Sequence, residues 1–190
     1  MGPAPVSTAV RATTLYSMST APWPPAGSRT IPAAEDMRAF GQELGATLGP
    51  GDLVILDGPL GAGKTTLAQG IARGMDVRGR VTSPTFTIAR EHRPNRPGGA
   101  RLVHADLYRL LDMGGDLLAN LDSLDLDTDL GDCVVVAEWG GGVAEQLSDR
   151  HLLVSIDRTA DDGSRVVTWR WSGPGGGPDD GPGGARGPAA

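Results

Sequence analysis

The run Gly58-Pro59-Leu60-Gly61-Ala62-Gly63-Lys64-Thr65 constrains this chain more than any other feature. It matches the spacing G-x-x-x-x-G-K-[ST] of a phosphate-binding loop. The glycines let consecutive backbone N–H groups turn inward and form a concave nest for phosphate oxygens at a helix N-terminus. Lys64 supplies a cation that can reach the β- and γ-phosphates, and the Thr65 hydroxyl is placed to ligate Mg²⁺. The backbone from Gly58 through Leu60, Gly61, Ala62, Gly63, Lys64 and Thr65 to Thr66 is therefore the expected nucleotide-binding segment. A glycine-rich turn with a surface lysine would not account for the Lys-Thr pair at that spacing. The context agrees as well. Leu53-Val54-Ile55-Leu56, bounded by Asp52 and Asp57, reads as a buried parallel strand feeding the loop. Thr65 to Gly74 continues as a helix.

The same rhythm extends along the chain. Met37, Phe40, Leu44 and Leu48 recur at helical spacing within Ala33 to Leu48, and Gly49-Pro50-Gly51 stops that helix. Phe86 to Arg90 and Arg101 to Ala105 read as strands around a loop at Pro94 to Gly99. Cys133 to Ala137 is the most apolar β-branched run. Leu152 to Ile156 and Val166 to Trp171 alternate as the strands of a closing hairpin. Strands interleaved with helices predict an α/β fold, with a mainly parallel central sheet flanked by helices and a C-terminal antiparallel hairpin. The domain is expected over residues 29–172. The 29 Gly and 15 Pro are concentrated toward the two ends of the 190-residue chain. Residues 1–28 and 173–190 are read as disordered extensions, because such compositions bury too little apolar surface to order themselves.

Charge and cysteine usage narrow the function. A net charge of -6 is not the basic footprint of a chain that grips nucleic acid by itself, so any RNA is expected to be held by a partner. The single cysteine, Cys133, allows no internal disulfide, which suits a reducing cytoplasm. No apolar run approaches the roughly 20 residues of a membrane helix. Pro22, Pro24 and Pro25 interrupt the N-terminal stretch, so no secretory signal is expected.

Hydrolysis or transfer needs more than a loop. The strand Val134-Val135-Val136-Ala137 ends in Glu138, and in open α/β sheets the ligand crevice lies beyond the carboxyl ends of the strands. Glu138 is thus expected where Mg²⁺ or its bound water would sit. Asp106, closing Leu102-Val103-His104-Ala105, makes the same case, and the two carboxylates could divide metal holding and water alignment. Sequence does not assign which does which. His104 faces the same side of its strand as Asp106 and reads as a packed or hydrogen-bonded histidine. Ser83-Pro84-Thr85 offers hydroxyls that either reach a γ-phosphate or simply make a turn. A GTPase would carry an Asn-Lys-x-Asp segment, and none exists; Asp112-Met113-Gly114-Gly115 is a chance D-x-x-G. A small-molecule kinase would need an arginine-bearing lid, for which Arg90, Arg93 and Arg96 are candidates. A switch ATPase within a complex is the third class.

Four segments then occur in order: the phosphate loop through Thr66-Leu67, Val81-Thr82-Ser83-Pro84-Thr85-Phe86, His104-Ala105-Asp106-Leu107-Tyr108-Arg109-Leu110, and Glu138-Trp139-Gly140. Together they resemble the TsaE family, the ATPase subunit of bacterial threonylcarbamoyl-adenosine synthesis on tRNA, over about Thr30 to Trp171. The resemblance implies a cytoplasmic protein that binds ATP with Mg²⁺ and associates with the TsaB–TsaD pair, in which TsaD carries the transfer chemistry and the complex can hold the tRNA. It implies that Lys64 contacts phosphates, Thr65 and Glu138 the magnesium, and that Asp106 assists hydrolysis. It further implies that Thr85 sits in a switch-like loop and that Arg165 approaches the nucleotide. Gly140 departs from the proline that many relatives carry. Asp116-Leu117 or Asn120-Leu121 stands where a glutamate-leucine pair is usual.

Overall fold

The computed structural model describes residues 26–82, 89–106, 130–139, 148, 150–158 and 162–173. The segment Ser83 to Phe86, the Asp112 to Gly115 run, Asp116-Leu117, Asn120-Leu121, Gly140 and the extensions 1–25 and 174–190 lie outside these residues. Seven strands form one sheet: β1 (Gly27–Ile31), β2 (Leu53–Asp57), β3 (Ala89–His92), β4 (Arg101–Asp106), β5 (Cys133–Glu138), β6 (His151–Asp157) and β7 (Arg165–Ser172). Among the described residues two α-helices accompany it, α1 (Ala34–Gly45) and α2 (Lys64–Gly74).

The strand order is β1-β7-β6-β2-β5-β4-β3. The centre, β6-β2-β5-β4, is parallel. Both margins are antiparallel: β3 on β4 at one edge, and β6-β7-β1 at the other. A mainly parallel sheet thus holds for the centre only, because each edge is finished by a strand that turns back. The predicted hairpin is β6 and β7. The N-terminal edge strand is a correction: Gly27 and Ser28, assigned to the extension by composition, open β1 and pair with Trp169 and Thr168.

Alternate residues of the central strands explain where the core sits. Val54 and Leu56, Val134 and Val136, and Leu152, Val154 and Ile156 join the apolar sides of α1 and α2 in one cluster. Both described helices therefore cover the same face. The opposite face, with Leu53, Ile55, Val103 and Val135, is buried too, which is why the parallel strands read as continuous apolar runs.

α1 starts with Glu35 and Asp36 in its first turn, and the Asp36 carboxylate accepts the Ala33 N–H at 3.1 Å. Its buried residues Met37, Phe40, Gly41, Leu44 and Gly45 follow the helical period. Two of these glycines are the contact with α2. A Cβ on Gly41 would lie 2.5 Å from the Leu67 carbonyl oxygen and 2.9 Å from the Gly70 Cα. The helices meet backbone to backbone, through Gly41 and Gly45 on one and Gly70 and Gly74 on the other. Among the described residues no helix is long and apolar enough to cross a membrane.

Candidate functional site

Strand β2 ends at Asp57, and the chain enters the glycine loop at the carboxyl edge of the sheet. Gly58 has φ +143°, and a Cβ there would sit 2.6 Å from the Ile156 carbonyl oxygen. Gly61 and Gly63 also have positive φ, at +75° and +114°. Only glycine takes such a path without strain. Gly63 is the N-cap of α2, which has no side-chain cap and no acidic residue in its first turn. α1 supplies its own acids at the same position. α2 instead leaves its first N–H groups and its positive dipole end for an outside anion. Leu60, at the loop's tip, is 84% exposed.

Lys64 is buried. Its Nζ donates to the carbonyls of Gly58 at 2.6 Å and Pro59 at 3.0 Å, so the side chain lies along its own loop. The Trp139 ring closes it in, with Nζ 3.5 Å from the ring centroid. Burial pushes the ammonium below the ordinary lysine range, while the nearby charges of Glu138, Asp57 and Asp106 push it back up. All three of these acids end strands at this edge of the sheet, Asp57 on β2, Asp106 on β4 and Glu138 on β5. Trp139 reaches its position through a left-handed backbone, φ +62°, and its N–H donates to the Leu56 carbonyl at 3.1 Å. That conformation is uncommon for a bulky residue, and it turns the chain back over the end of β2.

Glu138 ends β5 beside Leu56 on β2 and Asp106 on β4. It is only 5% exposed. The Thr65 hydroxyl donates to its two oxygens at 3.0 and 3.1 Å. From the other side, His104 Nε2 lies 2.9 Å from Oε1. A carboxylate only accepts, so Nε2 is the donor and the tautomer is fixed. His104 is 1% exposed, and its reading as a hydrogen-bonded histidine holds, with the candidate metal ligand as its partner.

The structure thus gathers the loop glycines, Ala62, Lys64, Thr65 and Glu138 at one point. Asp106 stands beside Glu138 on the next strand. Arg165, at the start of β7, donates from Nε to the Ala62 carbonyl at 3.4 Å, and its guanidinium also bonds the Gly163 carbonyl. Arg158, beyond β6, was missed from sequence; its Nη1 lies 3.1 Å from where a Gly61 Cβ would be. No local pattern marks it, because the parallel pairing of β6 with β2 brings it there. Thr85 lies outside the described residues. Of the three lid candidates, Arg93 and Arg96 sit before β4, at the end of the sheet away from the loop, whereas Arg90 on β3 pairs with His104 toward the loop end.

Among the described residues no three His, Cys, Asp or Glu side chains cluster as a ready metal cage. The donor set fits a hard cation shared with phosphate: one hydroxyl, one carboxylate and a neighbouring acid, beside an open anion cradle.

The model of the family described as "Threonylcarbamoyl adenosine biosynthesis protein TsaE" matches residues 31–167. The chain belongs to the TsaE family. A relative named tRNA threonylcarbamoyladenosine biosynthesis protein TsaE in Mycobacterium tuberculosis H37Rv is 58% identical over 146 residues, covering 76% of this chain and 87% of that protein. The protein of that name in Bacillus subtilis is 38% identical over 135 residues, covering 71% and 79%. Among solved structures, the crystal structure of Bacillus subtilis YdiB superposes with a TM-score of 0.58 at 32% identity, covering 77% of this chain and 85% of that one. The seven-stranded TsaE-family sheet described above is thus a mixed α/β fold of the P-loop kind.

Proposed function

We propose that this TsaE-family chain binds ATP with Mg²⁺ at the Gly58–Thr65 loop. Its hydrolysis would support threonylcarbamoyl-adenosine formation on tRNA, in an assembly with TsaB and TsaD in the cytoplasm. The observation that carries the reading is the bond from Thr65 to Glu138 at the uncapped start of α2. It joins the last residue of an anion cradle to a buried acid from another strand.

In this reading the loop N–H groups and Lys64 hold the phosphates, with Lys64 leaving the Gly58 and Pro59 carbonyls to do so. Thr65 and Glu138 would hold Mg²⁺, which would supply positive charge against the phosphates. His104 keeps Glu138 turned toward Thr65. Asp106, beside Glu138 on β4, would share in holding the metal or orient the attacking water and take its proton. Arg165, with the hydroxyl of Thr85, completes the phosphate contacts. The tRNA is carried by the partner proteins. Against the kinase alternative, two of its three candidate lid arginines, Arg93 and Arg96, lie at the far end of β4.

The test is a titration with a fluorescent ATP analogue, followed by product analysis with TsaB and TsaD present. Lys64→Ala is expected to abolish most affinity, and free phosphate is expected to rise on adding the partners. Unchanged nucleotide binding by Lys64→Ala would remove the loop assignment. A phosphorylated small molecule in place of free phosphate would move the chain to the kinase class.

A further inference from the structure

The end of β6 and the start of β7 lie against the phosphate loop on one flank. The loop leaves β2. Glu138 and Asp106 stand on its β5 and β4 side, and β6 and β7 stand on the other. Three close approaches hold the hairpin there. The Ile156 carbonyl oxygen lies 2.6 Å from where a Gly58 Cβ would be, so β6 comes this near only because residue 58 has no side chain. Arg165 Nε donates to the Ala62 carbonyl at 3.4 Å. Arg158 Nη1 lies 3.1 Å from where a Gly61 Cβ would be.

The two arginines are used differently. Arg165 spends Nε and Nη1 on the carbonyls of Ala62 and Gly163, which ties the hairpin to the loop. Arg158 is exposed, and among the described residues its guanidinium has neither an ion pair nor a hydrogen-bonded acceptor. It stands with its donors open beside a glycine of the backbone nest, whose helix brings no acid of its own. The charges at this edge call for a cation there. Acids end β2, β4 and β5 at Asp57, Asp106 and Glu138, and α2 opens with the single cation Lys64. A triphosphate remains a net anion even with Mg²⁺ bound, so it meets excess negative charge on the metal side. A guanidinium on the opposite flank offsets that repulsion.

We infer that Arg158 binds the polyphosphate of the nucleotide, taking oxygens that face away from the metal. The inference rests on the nucleotide reading above and adds to it a binding residue from outside the loop. A guanidinium fork pairs two phosphate oxygens at once, a match that an ammonium does not reproduce. Because Arg158 is already beside the nest and unpaired, no ion pair has to break when the anion arrives. Arg165, in addition to its own phosphate contact, holds the hairpin so that Arg158 stays next to Gly61.

Displacement of a fluorescent ATP analogue from the full chain, with Mg²⁺ present, tests this when ATP and inorganic tripolyphosphate are the competitors. The parent chain should bind both. Arg158→Ala should weaken both about tenfold, the loss of a charge-assisted bond to phosphate. Arg158→Lys should recover only part of that loss, because it restores the charge without the fork. Without nucleotide, Arg158→Ala should melt within about 1 °C of the parent, since an exposed and unpaired side chain holds nothing in the fold. Unchanged affinity for both competitors overturns the inference. So does weaker ATP binding with tripolyphosphate unaffected, which would put the guanidinium on the base or ribose. Lys64→Ala in the same assay keeps the two readings apart. If it loses binding while Arg158→Ala does not, the arginine assignment alone falls; if it binds as the parent does, the nucleotide reading falls and takes this inference with it.

Discussion

Replacing His104 separates what it does for packing from what it does for Glu138. Its ring is 1% exposed and its Nε2 donates to a carboxylate that is itself 5% exposed. His104→Leu keeps comparable volume but leaves that carboxylate with the Thr65 hydroxyl as its remaining described donor. Losing a hydrogen bond to a buried charged group costs about 1.5–3 kcal/mol. At roughly 2–4 °C per kcal/mol for a domain of this size, the melting temperature should fall by about 3–12 °C. His104→Gln carries an amide N–H near the position of Nε2 and should recover most of that loss. Removing the acid as well, in His104→Leu with Glu138→Leu, should be less damaging than His104→Leu alone, because no buried charge is then left short of donors. Scanning calorimetry reads all three, and titration of Mg²⁺ in the presence of nucleotide reads the aim of Glu138. Leu and Gln variants melting within about 1 °C of each other would refute the reasoning, since only a packing role predicts that.

Gly58→Ala must hold a φ of +143° and a methyl 2.6 Å from the Ile156 carbonyl. A loss of at least about 2 kcal/mol is expected in urea unfolding, with weakened nucleotide binding. Phe40 is 1% exposed and packs on Trp169 with ring centroids 5.1 Å apart, so Phe40→Ala should cost about 3–5 kcal/mol by the same assay. Burial holds His92 below the ordinary imidazole range, against the raising effect of its bond to the Arg78 carbonyl. Below about pH 6.5 the unfolded chain therefore binds the proton that the folded chain resists, so stability falls as pH drops through that value. His92→Gln should flatten the fall in melting temperature between about pH 7.5 and pH 5.5.

Much of this was legible because the strongest determinants are local. The apolar runs of β2 and β5, the helical spacing in α1 and the glycine loop each declare themselves within a few residues. β1 does not. Gly-Ser-Arg-Thr-Ile has one buried side chain, Ile31, and is a strand because β7 offers it a ladder. β3, Ala-Arg-Glu-His, is likewise defined by its partner, and the strand read over Phe86 to Arg90 is described at Ala89–His92. In the site, Lys64, Thr65 and Glu138 followed from a motif and a strand end. The bond from His104 to Glu138 depends on register across two strands, and Arg158 depends on where β6 ends beside β2. Neither leaves a trace in local spacing.

The glycine seam between α1 and α2 has a mechanical meaning. Side chains between two helices act as cushions, since rotamer shifts absorb small displacements. At Gly41, Gly45, Gly70 and Gly74 there is no such padding, and the two backbones bear directly on each other. α2 begins at Lys64, so the floor of the phosphate loop is braced against α1 like a bolted joint. A push on the exposed side of α1, at Asp36 or Ala39, would reach α2 with little damping.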